Sequence, residues 1–142
     1  MILLTGGTGF IGRVLTRQLV ETGNQVRILL QPSLRTPRLP TGVPVEVAVT
    51  SLSGVQGLRA AMRGVETSYH LAGGEGEGGR ANLQAVDIDG TRELCESAAD
   101  ARVRRLFYLS HLGAGRAAGF PVLKAKGIAE EYVRKSGVAH TI

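Results

Sequence analysis

Apolar positions along the chain alternate between short continuous runs and longer stretches at helical spacing. Met1-Ile2-Leu3-Leu4 is apolar throughout, as in a strand buried on both faces. Ile11, Val14, Leu15 and Leu19 then recur at helical spacing with Arg13, Thr16 and Arg17 between them, which predicts a helix buried along the apolar four. Gly23 stops that helix, and Val26, Ile28, Leu29 and Leu30 predict a second strand within Asn24 to Leu30. Val43 to Val49 reads as a third strand. Ser53 followed by Gln56 reads as a capping box for a short helix carrying Leu58, Ala61 and Met62. Glu66 to Ala72 predicts a fourth strand. Leu83, Val86, Gly90, Leu94 and Ala98 space out a long helix, with Gly90 placed for close approach to the sheet. Arg104 to Ser110 is a fifth strand. Val122, Leu123, Ala129, Tyr132 and Val133 mark a last helix ending near Gly137, and Val138 to Ile142 opens a sixth strand.

Strands alternating with helices predict an α/β fold, a doubly wound parallel sheet with helices on both faces. Ligands of such sheets sit beyond the C-terminal strand ends where the strand order reverses, and Thr5, Gln31, Ala72 and Ser110 all fall at such ends. Between the first strand and helix stands Thr5-Gly6-Gly7-Thr8-Gly9-Phe10-Ile11-Gly12. Glycine serves three purposes in a turn of this kind: the tight bend, backbone approach to a pyrophosphate, and close packing of helix on strand. Gly6, Gly9 and Gly12 satisfy one spacing, and Gly7, Gly9 and Gly12 another. In either register the unpaired N–H groups and positive dipole end of the first helical turn face an anion, so the stretch reads as a phosphate cradle.

Composition narrows the picture. At 142 residues with 43% hydrophobic, the chain fits one domain with one core. It shows neither an apolar run long enough for a bilayer nor the order of a signal peptide, so the expectation is a cytoplasmic protein without a membrane partner. Cys95 has no companion for a disulfide or a metal. The net charge of +5 is scattered and aromatics are only 4%, which argues against a nucleic-acid surface and suits an anionic cofactor. At the second strand end an NAD site places Asp or Glu, whereas this chain has Gln31, with Arg35 and Arg38 in the following loop and Arg13 beside the last glycine. Arginines beside an uncharged strand end accommodate a 2'-phosphate, so NADP(H) is favoured over NAD(H). The run Gly73-Gly74-Glu75-Gly76-Glu77-Gly78-Gly79 reads as a mobile loop.

With these features assembled, the chain resembles the extended and atypical short-chain dehydrogenase/reductase superfamily, the NAD-dependent epimerase/dehydratase and NmrA-like NAD(P)H-binding proteins. The likeness rests on the glycine stretch, on Tyr69-His70-Leu71-Ala72-Gly73, on Asp89-Gly90-Thr91-Arg92 and on Tyr108-Leu109-Ser110. It implies a Rossmann-like domain over residues 1–142, ending within the sixth strand and without the substrate-binding region of relatives. It implies cofactor contacts from Gly6, Thr8, Gly9, Phe10, Ile11, Gly12, Gln31, Arg35, Leu71, Ala72, Gly73 and Lys126. Ser110 matches the family's catalytic or substrate-binding serine. The family's Tyr and Lys, four residues apart, correspond to Val122 and Lys126, so the lysine is in place and the tyrosine is not. Ser51 stands where many relatives carry Asp, and Asp87 where they carry Asn. A phenol's acid–base role is beyond an isopropyl group. Three functions follow as alternatives: a dinucleotide-binding module, an NAD(P)-dependent enzyme using Ser110, Lys126 or His111 on an unidentified small molecule, and a scaffold subunit stabilised by a dinucleotide. Either a monomer or a homo-oligomer is compatible with the sequence.

Overall fold

The computed structural model describes residues 1–33, 39–74 and 82–142. Among these, six strands form one sheet: β1 (Ile2–Thr5), β2 (Val26–Leu30), β3 (Glu46–Val49), β4 (Thr67–His70), β5 (Arg105–Tyr108) and β6 (His140–Thr141). All pair in parallel, in the order β3-β2-β1-β4-β5-β6. The order reverses between β1 and β4, which makes the ends of those two strands the switch point of a doubly wound sheet. The connecting helices are α1 (Phe10–Glu21), α2 (Val55–Ala61), α3 (Gly90–Asp100) and α4 (Pro121–Lys135), and a π-helical turn at Gln84–Asp89 leads into α3. None of these helices is long and apolar enough to cross a membrane.

The period of two along each strand divides the core between the faces. Leu4, Val26 and Ile28 pack on one side against Leu15, Leu19 and Val20 of α1. On the other side Leu3, Leu29 and Leu106 lie under Leu58 of α2, Leu94 of α3 and Val133 of α4. Cys95 belongs to this second cluster, and burial pushes its thiol up to about 12. Arg27 braces the β2–β3 edge: it pairs with Glu46 at 2.9 Å and donates to the carbonyls of Ala61 at 2.6 Å and Arg63 at 2.9 Å.

Several local expectations are corrected. Ile11 and Val14 are 50% and 61% exposed, whereas Gly12 and Thr16 are buried, with Leu15 and Leu19 partly covered beside them. Gly12 is the point of closest approach and rotates the buried stripe, a displacement that counting apolar residues misses. The capping box at Ser53 does not form: the N-cap of α2 is Gly54, and the Ser53 hydroxyl bonds that of Ser51 at 3.0 Å. Gly90 approaches Leu52, in the loop after β3, rather than the sheet, and an added Cβ would lie 2.9 Å from the Cβ of Leu52. β3, β4, β5 and β6 are shorter than the stretches that predicted them. β4 ends at His70; the Leu71 N–H still donates to the Thr5 carbonyl at 3.3 Å, and Ala72 leaves the ladder at the switch point.

Candidate functional site

The turn after β1 is shaped by backbone contacts that leave no room for side chains. Gly6 has a φ of +71°, and a Cβ there would lie 2.7 Å from the Leu71 carbonyl carbon and 2.8 Å from the Ala72 nitrogen. A Cβ on Gly12 would overlap the Gly6 carbonyl oxygen. The Gly9 N–H donates to that same oxygen at 3.0 Å, and Gly9 is the N-cap of α1. The working register is therefore Gly6, Gly9 and Gly12, while Gly7 packs down on Ile28 and Leu4. At Gly9 an added Cβ would meet only the Gly6 oxygen, so its outer side stays open to a ligand. The first N–H groups of α1 have no carbonyl of their own helix to bond and mark an anion site backed by the helix dipole.

A cleft of about 280 Å³ opens over this turn. Of the predicted cofactor residues, Gly6, Thr8, Gly9, Gln31, Leu71, Ala72 and Gly73 line it. Gly12 lies beneath the turn, and Phe10 and Ile11 sit on the first turn of α1 with exposed side chains. Thr5, Leu29, Leu30, Leu52 and Val86 complete the walls. Leu52 and Val86 were not read as site residues from sequence, because an apolar side chain in a loop or on a helical turn carries no chemical signature. Arg35 and Arg38 lie outside the described residues. A larger groove of about 570 Å³ runs along the outer flank of α1, where Arg13 and Arg17 face Leu39 and Pro40. It contains none of the cradle glycines, so the site is assigned to the smaller cleft on chemistry. A glycine cradle that a Cβ would fill, with an open helix N-terminus, fits the diphosphate of a dinucleotide.

Lys126 and Ser110 do not line that cleft. Lys126 is 2% exposed, with Nζ 3.1 Å from Oδ1 of Asp87, itself 1% exposed. The ammonium also lies 3.4 Å from the Leu109 carbonyl and 5.3 Å from the centre of the Tyr108 ring. The second oxygen of Asp87 accepts the Gly74 N–H at 2.9 Å, tying the chain after β4 to the π-helical turn. The Ser110 hydroxyl donates to Oε1 of Glu130 at 2.6 Å, and Oε2 pairs with Arg134 at 2.9 Å. Val122 stands one helical turn before Lys126, half-buried. His111 lies in the exposed loop that follows β5.

His70 is fully buried between Thr5 and Thr91, with Nδ1 2.7 Å from the Thr5 Oγ1 and Nε2 2.8 Å from the Thr91 Oγ1. Burial, aided by the charge of Lys126, lowers its pKa from 6.5 to about 3. The unfolded chain therefore binds a proton below pH 6.5 that the folded chain refuses until near pH 3. This contribution is complete above 6.5 and is lost as pH falls. It predicts a stability loss of about 2 kcal/mol between pH 7.5 and pH 5, read by chemical denaturation at each pH. Desolvation also raises the Tyr108 phenol well above its ordinary value, with the Asp87 charge adding to it.

A family model described as NAD(P)H-binding matches residues 6–142. Sterol demethylase protein B of Methylococcus capsulatus is 37% identical over 79% of this chain and 34% of its own length. Photosystem II assembly factor Ycf39 of Cyanophora paradoxa is 26% identical over 99% of this chain and 43% of its own. Among solved structures, a short-chain dehydrogenase/reductase superfamily protein from Agrobacterium tumefaciens with bound NAD superposes with a TM-score of 0.73 at 30% identity, covering 95% of this chain and 44% of that one. The chain thus spans less than half the length of each of these relatives.

Proposed function

The chain belongs to the NAD(P)H-binding family of the short-chain dehydrogenase/reductase superfamily, and from that premise we propose that it holds NADP(H) in preference to NAD(H) without tyrosine-based proton transfer. Residues 1–142 are read as the NAD(P)-binding domain. The turn at Gly6, Thr8 and Gly9 would take the diphosphate. Gln31, Arg13 and Arg35 would meet the substituted ribose, and Leu71, Ala72 and Gly73 would wall the cofactor. NADP(H), when bound, supplies a nicotinamide that carries hydride. The observation carrying the reading is the buried pairing of Lys126 with Asp87, together with Val122 in place of the phenol that a lysine would activate. The Ser110 hydroxyl is likewise directed at Glu130.

The 2'-phosphate preference rests on Gln31 in place of a carboxylate and on the arginines that flank the cradle and this strand end in sequence, and it is testable by substitution. Arg13→Ala is expected to weaken NADPH binding about tenfold, near 1.4 kcal/mol, while NADH affinity stays within about twofold. Gln31→Glu should reverse the preference by placing a carboxylate at the ribose. Parallel fluorescence titrations read both. Equal losses for NADPH and NADH in Arg13→Ala would remove that arginine from phosphate recognition.

A second reading, an NAD(P)-dependent reductase or epimerase/dehydratase acting on a small carbonyl compound or a nucleotide sugar, draws on the superfamily likeness and assigns catalysis to Ser110 and Lys126. It expects stereospecific hydride exchange from labelled NADPH, lost in Lys126→Ala at unchanged affinity. A third, a scaffold subunit that the dinucleotide stabilises, draws on the likeness to Ycf39 along nearly the whole chain. It expects association in solution, and a monomer at all concentrations would oppose it.

A further inference from the structure

We propose that His70 is a positioning residue for the cofactor wall: fixed as the Nε2–H tautomer, it accepts the Thr5 hydroxyl proton at Nδ1 and so holds the oxygen to which the Ala72 amide donates. The role at the wall rests on the dinucleotide reading above, whereas the tautomer stands independently of it.

Thr5 and His70 are register partners on β1 and β4, with both side chains on the sheet face covered by α3. Thr5 is 1% exposed and Thr91 fully buried, so water is not available to complete their hydrogen bonds. The Ala72 N–H donates to the Thr5 Oγ1 at 3.2 Å. That oxygen therefore acts as an acceptor on one side, and its own proton must find an acceptor elsewhere. His70 Nδ1, 2.7 Å away, is the acceptor the structure offers. A neutral imidazole has one N–H, so Nε2 carries it and donates to the Thr91 Oγ1 at 2.8 Å. The Thr91 proton has the Tyr108 phenol oxygen beside it, a buried atom that holds no other hydrogen bond. The opposite tautomer would leave the Thr5 proton buried without an acceptor, which is the costlier arrangement. The charged and titratable groups facing the ring are Tyr108 on β5, whose ring centre is 5.4 Å away, and Lys126 on α4 with its partner Asp87.

The directional chain thus runs from the Ala72 amide through Thr5 and His70 to α3. Ala72 and Gly73 line the cleft directly after β4 ends, where no ladder bond fixes them. A group held from below by an oriented hydroxyl gives that wall a defined position without any contact between His70 and a ligand.

Two substitutions separate the two ring nitrogens. His70→Asn places a carboxamide oxygen near Nδ1 and can still accept from Thr5, whereas His70→Gln reaches the Nε2 position and serves Thr91. The full chain, labelled with ¹⁵N, is expected to show an unprotonated Nδ1 and a protonated Nε2, unchanged from pH 5 to 8. A protonated Nδ1 or an averaged pair of signals overturns the proposal. Hydrogen exchange at the Ala72 amide is expected to stay slow in His70→Asn and to accelerate at least tenfold in His70→Gln. NADPH affinity should follow, within about threefold of wild type for Asn and at least tenfold weaker for Gln. Equal behaviour of the two variants in exchange overturns the positioning role. Were wild type to bind no dinucleotide, the dinucleotide reading would fail while the tautomer and exchange measurements still decided the role of His70. If both variants fail to fold, the wild-type tautomer alone decides.

Discussion

Gly12→Ala is expected to abolish dinucleotide binding. The added methyl would overlap the Gly6 carbonyl and meet the Gly7 Cα at 2.7 Å, and both are backbone atoms that no rotamer change can move. The turn must open, which displaces the Gly9 N–H from the Gly6 oxygen and turns the first amides of α1 away from the anion. Wild type at a ligand concentration about 100 times its dissociation constant should gain about 2.7 kcal/mol, and the variant should gain none. Overpacking should also cost the unliganded fold about 1–3 kcal/mol. Gly119→Ala is the matched control, because a Cβ there meets nothing within 4 Å. It should leave stability within about 0.5 kcal/mol and binding unchanged. Thermal shift with and without NADPH reads both variants, and a normal shift in Gly12→Ala would refute the cradle geometry.

Asp87→Ala is expected to be the most destabilising single change outside the core. It leaves the Lys126 ammonium without its carboxylate at 2% exposure and removes the acceptor of the Gly74 N–H. Breaking one side of a buried pair costs about 3–5 kcal/mol, whereas replacing both sides by apolar groups costs far less. Asp87→Ala combined with Lys126→Met should therefore be more stable than Asp87→Ala alone, against the direction that independent effects would take. Asp87→Asn keeps an acceptor for Gly74 and should fall between wild type and the alanine variant. Urea denaturation of wild type, Asp87→Ala, Lys126→Met and the double variant supplies the cycle. A loss below about 1 kcal/mol in Asp87→Ala would show that the pair carries little of the fold.

The alternation of strands and helices was legible because each buried strand is a short apolar run and each crossover helix repeats its apolar positions every three or four residues. The glycine cradle was legible for a similar reason, since strand, turn and helix are contiguous. Which residues the helices bury was less so: Gly12 and Thr16 lie on the inner face of α1 without being apolar. The polar partners were not legible at all. Asp87 and Lys126 are joined by the packing of α4 against the turn before α3, and Ser110 meets Glu130 only because β5 and α4 adjoin. His70 stands in the strand-end motif, but its bridging of β1 to α3 depends on the register with Thr5. Loss of the phenol at Val122 was visible in sequence, whereas the burial of the remaining lysine against a carboxylate needed the fold.

The central claim is that this chain holds a dinucleotide and selects the 2'-phosphate. Parallel calorimetric titrations of the full chain with NADPH, NADP, NADH and NAD test it most directly. Saturable binding, with the phosphorylated pair at least about tenfold tighter, is the predicted result. Absence of binding by all four, or NADH binding as tightly as NADPH, would contradict it.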